Sequence, residues 1–241
     1  MVVLCDGMVR SGSTWSFNVA LELLRSSNEH QKTFGLFSEK PEVLLSAVRP
    51  RSSNLVIKSH KLDQSAYQLC RTGAIKAIYT WRHPYDAIVS CMRMFGWSFQ
   101  QSIDVLRSSL RVWSFHRATN TAHVISYESI IQTPSAAIGR IASYLGVGVE
   151  VERLNRIARA TSLDQVRSLS QHVNDLDTGR LVRMNEHVYD RQTLLHQGHV
   201  TDGRIGYGAG LLDLEQRGTI DEMIREEGFE FLCEPEAAKL V

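Results

Sequence analysis

Early in the sequence lies a short glycine-bearing segment of the kind that binds phosphate. Gly7–Thr14 reads G-M-V-R-S-G-S-T, and it matches the phosphate-loop pattern G-x-x-x-x-G-K-S/T at both glycines and at Thr14. An apolar run precedes the segment and a helical pattern follows it, as that loop requires. Glycines let backbone N–H groups converge on an anion, and the amino end of the following helix adds a positive dipole. The alternative interpretation is an ordinary glycine turn.

The segment departs from the pattern at one position, because Ser13 stands where the lysine is expected. A cation is still present in the loop, at Arg10. The missing lysine is the residue that, together with magnesium, serves the terminal phosphates of a nucleoside triphosphate. The residues therefore indicate a phosphate-binding loop that is not built for hydrolysis of ATP.

Three further polar motifs follow apolar runs later in the chain. Residues 58–60 read K-S-H, residues 82–90 read R-H-P-Y-D-A-I-V-S, and residues 127–129 read Y-E-S. Together with R-S-G-S-T-W at residues 10–15, these motifs resemble, in the same order, those of the sulfotransferases that use PAPS (3′-phosphoadenosine 5′-phosphosulfate). The motifs and the elements between them extend over more than half of the chain.

The resemblance implies a role for each motif. The implied catalytic residues are His60, Lys58 and Arg10. His60 would take the proton of the acceptor, a task that suits an imidazole because its ordinary pKa lies near neutral. Lys58 would neutralise charge on the leaving phosphate, and Arg10 would bind the 5′-phosphate. The residues implied to bind the donor are Arg10, Ser11, Gly12, Ser13, Thr14, Trp15, Arg82, Ser90 and Tyr127.

Within that set, Arg82 and Ser90 would hold the 3′-phosphate, while Trp15 and Tyr127 would contact the adenine. Several of the implied site residues also have a simpler interpretation. Lys58 is compatible with a solvated strand end, Trp15 and Tyr127 with core packing, and Ser90 with an exposed helix position.

The glycine motif that closes over the 3′-phosphate in this family is only partly present. Residues 196–204 read H-Q-G-H-V-T-D-G-R, in which Gly198 and Asp202 fit the family pattern but its arginine and lysine are missing. His199 and Arg204 are the candidate replacements, and both are predicted to bind the donor. The H-x-x-H spacing here lacks the cysteine or glutamate that would complete a ligand set, so no metal is expected.

Composition excludes several other classes of protein. The 241 residues carry 27 Lys and Arg against 26 Asp and Glu, a net charge of +1, so no overall field attracts nucleic acid or an anionic membrane. An anionic ligand must therefore be bound locally. No apolar run is long enough for a membrane span, no signal-peptide pattern is seen, and a cytoplasmic location is expected.

Free, mostly buried thiols are expected at Cys5, Cys70, Cys91 and Cys233.

Short apolar runs alternate with helical periodicity along the chain. Strands are predicted at 2–5, 55–57, 74–81 and 123–126, and helices at 14–26, from Pro84, at 98–121 and from Pro134 to Gly146. This alternation predicts an α/β fold with a central parallel sheet flanked by helices. The resemblance makes it the P-loop-like sulfotransferase architecture. One domain is expected over residues 1–241. Residues 171–210, where periodicity is poor, are either a lid over the site or a set of unrecognised short helices.

The resemblance implies transfer of a sulfuryl group from PAPS to a hydroxyl or amine of a small-molecule acceptor, with release of PAP. Loops near 34–38, 95–99 and 171–210 would select the acceptor. Aromatic side chains favour an apolar or phenolic one, although core packing is an equal reading of them, and a carbohydrate or a carrier-bound acyl chain stays open. These aromatics are Phe34, Phe37, Phe95, Trp97 and Phe99.

Two alternative functions remain at this point. A P-loop kinase or other nucleotide-binding protein is favoured by Gly7–Thr14 but opposed by Ser13. A nucleotide-binding protein that has lost catalysis is favoured only by the missing arginine and lysine before Gly198, and the presence of Lys58 and His60 opposes it. Whether the chain forms a homodimer is left open.

Overall fold

A computed structural model describes residues 1–27, 31–39, 53–184, 187–200 and 203–233. Five strands form one parallel sheet in the order β2-β3-β1-β4-β5. The strands are β1 (Val2–Gly7), β2 (Thr33–Phe37), β3 (Asn54–Lys58), β4 (Lys76–Trp81) and β5 (Ala122–Ser126). The predicted α/β fold with a central parallel sheet is confirmed.

Strand β1 occupies the middle of the sheet because its residues are apolar on both faces. Val3, Leu4 and Cys5 are fully buried, and the strand pairs with β3 on one side and β4 on the other. A continuous apolar run predicts such a strand. Since β3, β1, β4 and β5 are neighbours and run in the same direction, their carboxyl ends lie along one edge of the sheet.

Helices cover both faces of this sheet. Helices α1 and α6 pack against one face, and α4 and α9 against the other. Val19, Ala20, Leu23 and Leu24, the predicted buried stripe of α1, are all in the core. The helices are α1 (Ser13–Ser27), α2 (Gln64–Arg71), α3 (Pro84–Phe95), α4 (Phe99–Thr119), α5 (Tyr127–Gln132), α6 (Pro134–Leu145), α7 (Val151–Ala160), α8 (Leu163–Gln171) and α9 (Leu214–Glu226).

Local sequence signals account for most of the observed helix ends. Pro84 is the first residue of α3, where its missing N–H is not needed. Ser98 caps α4 in a capping box with Gln101, and Gly146 ends α6 with φ +75°. Thr133 occupies the predicted N-cap position of α6, but its side chain caps nothing there. Its hydroxyl instead donates to the carbonyl of Ser129 within α5.

Residues 34–38, predicted as a loop, belong mostly to an edge strand, β2. The five residues T-F-G-L-F carry a glycine in the middle, which weakens any strand signal in the sequence. That glycine is required by packing, since a Cβ at Gly35 would come within 2.6 Å of the Phe17 ring. The prediction of a loop was therefore wrong.

The segment 171–210 contains short elements that its weak periodicity conceals. Two single 3₁₀ turns, Val173–Asp175 and Thr178–Arg180, lead into a hairpin of β6 (Leu181–Met184) and β7 (His187–Asp190). Elements this short show too few repeats to give a periodic pattern. The buried Asp190 carboxylate ties the hairpin base together by accepting from Arg180 at 2.8 Å and from the Thr193 hydroxyl at 2.7 Å.

The thiols of Cys5, Cys70 and Cys91 are free and buried, as predicted, while the side chain of Cys233 lies outside the described residues. In the described ranges, no helix is long and apolar enough to cross a membrane.

Asp6 is an acidic residue near the carboxyl end of β1, the central strand of this apolar sheet. It is 1% exposed; its Oδ1 accepts the N–H of Gly7 at 2.6 Å, and its Oδ2 has no hydrogen-bond partner in the described structure. Burial raises the pKa of Asp6 to about 7, against 3.8 for an unburied group, while the Gly7 hydrogen bond and the Lys58 charge act in the opposite direction. The folded chain therefore holds a proton here that the unfolded chain releases at lower pH.

We predict that Asp6 makes the protein less stable as pH rises from about 4 to about 7, because only the unfolded state ionises in that window. Below pH 4 both states are protonated and the loss is absent; above pH 7 it is complete. The Asp6→Asn variant should lack this decline. The difference between its free energy of unfolding and that of the wild type should therefore increase, in favour of the variant, by on the order of 2–4 kcal/mol between pH 4 and 8.

Urea unfolding at several pH values measures this difference. The Asp164→Asn variant, altered at an exposed position on α8, should keep the wild-type pH dependence. An Asp6→Asn profile parallel to the wild type would show that the carboxyl ionises equally in both states.

Candidate active site

The four polar motifs meet at the carboxyl edge of the sheet. The segments that follow β1, β3, β4 and β5 carry one motif each, and these strands are neighbours, so the segments surround one cavity. The cavity has a volume of about 1030 Å³. Of the sequence-predicted site residues, those that line it are Arg10, Gly12, Ser13, Thr14, Trp15, Lys58, His60, Arg82, Tyr127 and His199.

The glycine loop is held rigidly against β4. The Met8 N–H donates to the carbonyl of Thr80 at 2.8 Å, and a Cβ at Gly7 would overlap Thr80. The hydroxyl of Ser11, predicted to face the donor, is buried beneath the loop and hydrogen-bonds Thr80 and the Met8 carbonyl. Gly12 has φ +96°, a conformation that favours glycine. The loop therefore offers backbone N–H groups at the start of α1, whereas its first serine serves the fold.

Lys58 and His60 form a pair at the end of β3. The Nζ of Lys58 lies 3.0 Å from Nε2 of His60, and Nδ1 of the same ring lies 3.4 Å from the carbonyl oxygen of Gly7. An ammonium has no lone pair, so Nε2 must be the acceptor and Nδ1 must carry the proton. The basic nitrogen of His60 thus faces Lys58.

Both members of the pair have shifted pKa values. Burial, followed by the charge of Arg10, lowers the pKa of Lys58 to about 8, so the ammonium persists at neutral pH. Burial, followed by the charge of Lys58, lowers the pKa of His60 to about 3. The imidazole is therefore neutral at physiological pH, the state that a proton acceptor requires.

Arg10 points away from its own loop towards α3. Its Nε donates to the Ser90 hydroxyl at 3.1 Å, and its Nη2 donates to the carbonyl of His199 at 2.9 Å. The backbone of Arg10 has φ +68°, in the left-handed region that few non-glycine residues adopt. Ser90 was predicted to share an anion with Arg82, but the cation that it contacts here is Arg10.

Arg82, at the end of β4, is 3% exposed and lies against an aromatic ring. Its guanidinium carbon is 4.2 Å from the centre of the Tyr127 ring, and its Nη2 donates to the Asp86 carboxylate at 3.3 Å and to the carbonyl of Arg204. The Tyr127 hydroxyl donates to the carbonyl of Gly203 at 3.2 Å. Arg82 and Tyr127, which come from different motifs, are thus both hydrogen-bonded to the glycine-bearing segment 196–204.

The residues predicted from that glycine segment are placed differently from one another. Gly198 is exposed and does not line the cavity, and Asp202 lies outside the described residues. The side chain of Arg204 is exposed, while its carbonyl reaches Arg82. His199 lines the cavity, and its buried Nδ1 has no hydrogen-bond partner in the described ranges. Across those ranges, no group of three His, Cys, Asp or Glu side chains is arranged to hold a metal ion.

Comparison with known proteins agrees with this geometry. Residues 3–191 match the sulfotransferase domain family. The chain belongs to the sulfotransferase family. A comparison with curated protein sequences finds no match. The predictions of the family, of a sulfotransferase enzyme and of a P-loop-like α/β architecture are confirmed.

Solved structures with a similar fold include a mouse sulfotransferase complexed with PAP. It has a TM-score of 0.67 and 16% sequence identity, over 94% of this chain and 84% of that one. A retinol dehydratase in complex with retinol and PAP gives a TM-score of 0.65 at 15% identity, over 94% and 80% of the two chains. A putative steroid sulphotransferase of Arabidopsis thaliana gives 0.52 at 16% identity, over 94% and 75%. Likeness at these identities supports the fold.

The aromatic residues of this sulfotransferase separate into two groups. Phe37, Phe95 and Trp97 line the cavity, and the last two rings stack with their centres 4.4 Å apart. Phe34 is instead 53% exposed, and Phe99 packs against the core on the α4 side of the sheet. Three of the five aromatics are therefore in position to meet a ligand.

Sequence reasoning missed several side chains around the site. Asp86 was recognised as part of a motif but was given no role, although its carboxylate contacts Arg82. Tyr189 and His196 line the cavity from the 171–210 segment, and Asn18 joins that segment to α1 by donating to the carbonyl of Thr193 at 2.9 Å. The one available signal in the sequence was that Asp86, an acid, directly precedes an apolar run, residues 87–89. That position becomes buried in α3.

We predict that Lys58→Met raises the pKa of His60 above about 3, since it removes both a nearby positive charge and the donor on Nε2. Burial of the ring remains, so the pKa should stay below 6.5. Titration of the His60 imidazole by NMR measures the shift. Lys61→Met is the matched control, because Lys61 is 75% exposed and pairs with Glu39 at 3.0 Å. An unchanged His60 pKa in Lys58→Met would contradict the pairing.

Proposed function

We propose that this sulfotransferase moves the sulfuryl group of PAPS to a hydroxyl, or an amine, of a small apolar acceptor and releases PAP. The observation that carries the proposal is the pairing of Lys58 with a neutral His60 in the cavity beside the phosphate loop. Family membership supports the reaction class, and the geometry supports the assignment of roles to residues.

The charge of the cavity suits an anionic donor. Arg10, Lys58 and Arg82 line it, whereas the acids among its described lining residues are Glu22 and Glu39. The loop N–H groups and the amino end of α1 add further positive potential. In the proposed arrangement the phosphosulfate lies at the loop, and Trp15 and Tyr127 flank the adenine.

His60 is proposed as the general base. Its Nε2 accepts the proton of the acceptor hydroxyl while the acceptor oxygen forms a bond to sulfur and the bond from sulfur to the bridging phosphate oxygen breaks. The electron pair of that bond stays on the phosphate of PAP. Lys58 donates a hydrogen bond to this oxygen as its negative charge grows, which stabilises the transition state more than the ground state.

For this step Lys58 must leave Nε2 of His60. The negative charge of the donor attracts the ammonium, and its departure frees the imidazole lone pair. The same movement places an anion beside Lys58, which offsets the positive charge that lowers the His60 pKa. The base is therefore competent only once the donor is bound.

The remaining part of the cavity suits an apolar acceptor. Phe37, Phe95 and Trp97 are joined there by Leu163 and Val166 of α8. Small-molecule sites usually enclose roughly 300–1,000 Å³, so a cavity of about 1030 Å³ has room for donor and acceptor together. Retinol dehydratase, similar in fold, has been crystallised with retinol and with androsterone, both apolar alcohols.

We predict that His60→Ala lowers sulfuryl transfer by about 100-fold or more, the usual contribution of a general base. The dissociation constant of PAP should stay within about threefold, because the phosphate contacts assigned to the loop, Arg10 and Arg82 are unaltered. Transfer from sulfur-labelled PAPS to a panel of phenols, retinol and steroids measures the first quantity, and calorimetry measures the second.

The control for this variant is His172→Ala, at an exposed histidine paired with Asp175 on the surface. It should transfer sulfuryl groups at the wild-type rate. Wild-type turnover in His60→Ala would remove His60 as the base.

We also predict that Trp97→Ala raises the KM of the best acceptor in that panel about tenfold and leaves the KM of PAPS unchanged. The Trp97 ring lines the cavity and stacks on Phe95, so its removal takes away apolar contact area. Phe34→Ala, which alters an exposed ring, is the control. Equal changes in the KM of acceptor and PAPS would place Trp97 outside the acceptor site.

A further inference from the structure

Asp86 is a buried acid in the first turn of α3, and its interactions join two distant parts of the chain. It is 1% exposed. Its Oδ1 accepts the N–H of Gly208 at 2.7 Å, and its Oδ2 accepts the N–H of Gly206 at 2.8 Å as well as Nη2 of Arg82 at 3.3 Å. The carboxylate thus bonds the glycine segment with both oxygens and a buried cation with one of them.

The backbone of residues 203–208 is shaped to reach this carboxylate. Gly206 has φ +77°, in the region that favours glycine. Gly208 lies directly against the start of α3, where a Cβ would overlap the backbone of Tyr85. Two N–H groups can converge on one carboxylate only because these two residues are glycines. The segment therefore docks on α3 through Asp86.

The docked segment also surrounds Arg82. The Arg204 carbonyl accepts from the Arg82 guanidinium, and the rings of Tyr127 and Tyr207 lie 4.2 Å and 5.4 Å from the guanidinium carbon. The Gly203 carbonyl accepts from the Tyr127 hydroxyl. Asp86 therefore fixes the position of the cation and of the segment around it through one side chain.

We infer that Asp86 is a positioning residue that holds residues 203–208 and Arg82 together as one binding unit for the 3′-phosphate of the donor. The inference rests on the proposed function, because it takes the 3′-phosphate to be the ligand of Arg82. A buried carboxylate with charge-assisted bonds on both oxygens resists displacement, since any lost partner leaves a buried charge unsatisfied. The unit is thus assembled before the donor arrives.

Asp86→Asn tests the inference, because the amide keeps the shape of the side chain but loses its charge and one acceptor oxygen. PAP and adenosine 5′-phosphate, which lacks the 3′-phosphate, are titrated calorimetrically into wild type and variant. The ratio of their affinities should fall at least tenfold in the variant, through weaker PAP binding. The KM of PAPS should rise by a similar factor, while kcat at saturating PAPS stays within threefold.

Hydrogen exchange supplies a readout of the segment itself. The amides of Gly206 and Gly208 should exchange faster in Asp86→Asn than in wild type. Asp221→Asn is the matched control. Asp221, on α9, accepts a hydrogen bond at 2.7 Å from the hydroxyl of Tyr85, the residue that precedes Asp86 in α3. It should keep the wild-type affinity ratio and the wild-type exchange of both amides.

If Asp86→Asn fails to fold, Gly208→Ala displaces the segment from the other side with Asp86 intact, and it should cause the same fall in the affinity ratio. An unchanged ratio in a folded variant overturns the inference while the proposed function stands. A wild-type protein that does not prefer PAP to adenosine 5′-phosphate overturns the proposed function, and this inference with it.

Discussion

Three buried or nearly buried cations at one edge of the sheet set the main physical constraint on this protein. Removing a charge from water is costly unless it is paired or hydrogen-bonded. Lys58 donates a hydrogen bond to the lone pair of His60. Arg10 donates to a serine hydroxyl and a carbonyl oxygen, and Arg82 donates to Asp86 and a carbonyl oxygen. Two of the three cations are therefore held by neutral groups. An anionic ligand can replace those groups with a gain in electrostatic energy.

This arrangement explains how a chain with a net charge of +1 can bind a donor with several negative charges. The sheet concentrates cations at the carboxyl ends of adjacent strands, and the balancing acids are distributed over the rest of the chain. In the proposed mechanism it also links binding to chemistry, since the ligand that draws Lys58 away is the one that frees His60. Burial lowers the pKa of both groups. The protonation of the Lys58 amine and that of the His60 imidazole therefore both depend on whether the ligand replaces His60 beside Lys58.

Much of the fold could be predicted because its signals are local. Apolar runs identified β1, β3, β4 and β5, and proline and glycine marked the ends of α3 and α6. The site motifs follow those strands, so the cavity could be anticipated from their order. Strand β2 was missed because Gly35 interrupts a five-residue pattern, and the hairpin after Arg180 was missed because its strands have four residues each.

What the sequence could not provide was the pairing of side chains across long separations. Asp86 meets partners 120 and 122 residues away, and Arg10 meets Ser90, 80 residues away. Such contacts depend on how loops close over the sheet, which no local pattern encodes. The expectations of one domain over the whole chain, of a lid, of a cytoplasmic location and of the oligomeric state stay predictions.

We propose that these cations are placed for a nucleotide with a 3′-phosphate and a 5′-phosphosulfate rather than for a triphosphate. Calorimetric competition between PAP and ATP with magnesium tests it most directly. PAP should bind with a micromolar or lower dissociation constant, about 8 kcal/mol of binding free energy or more, and ATP with magnesium should fail to displace it. Tighter binding of ATP with magnesium would contradict the account.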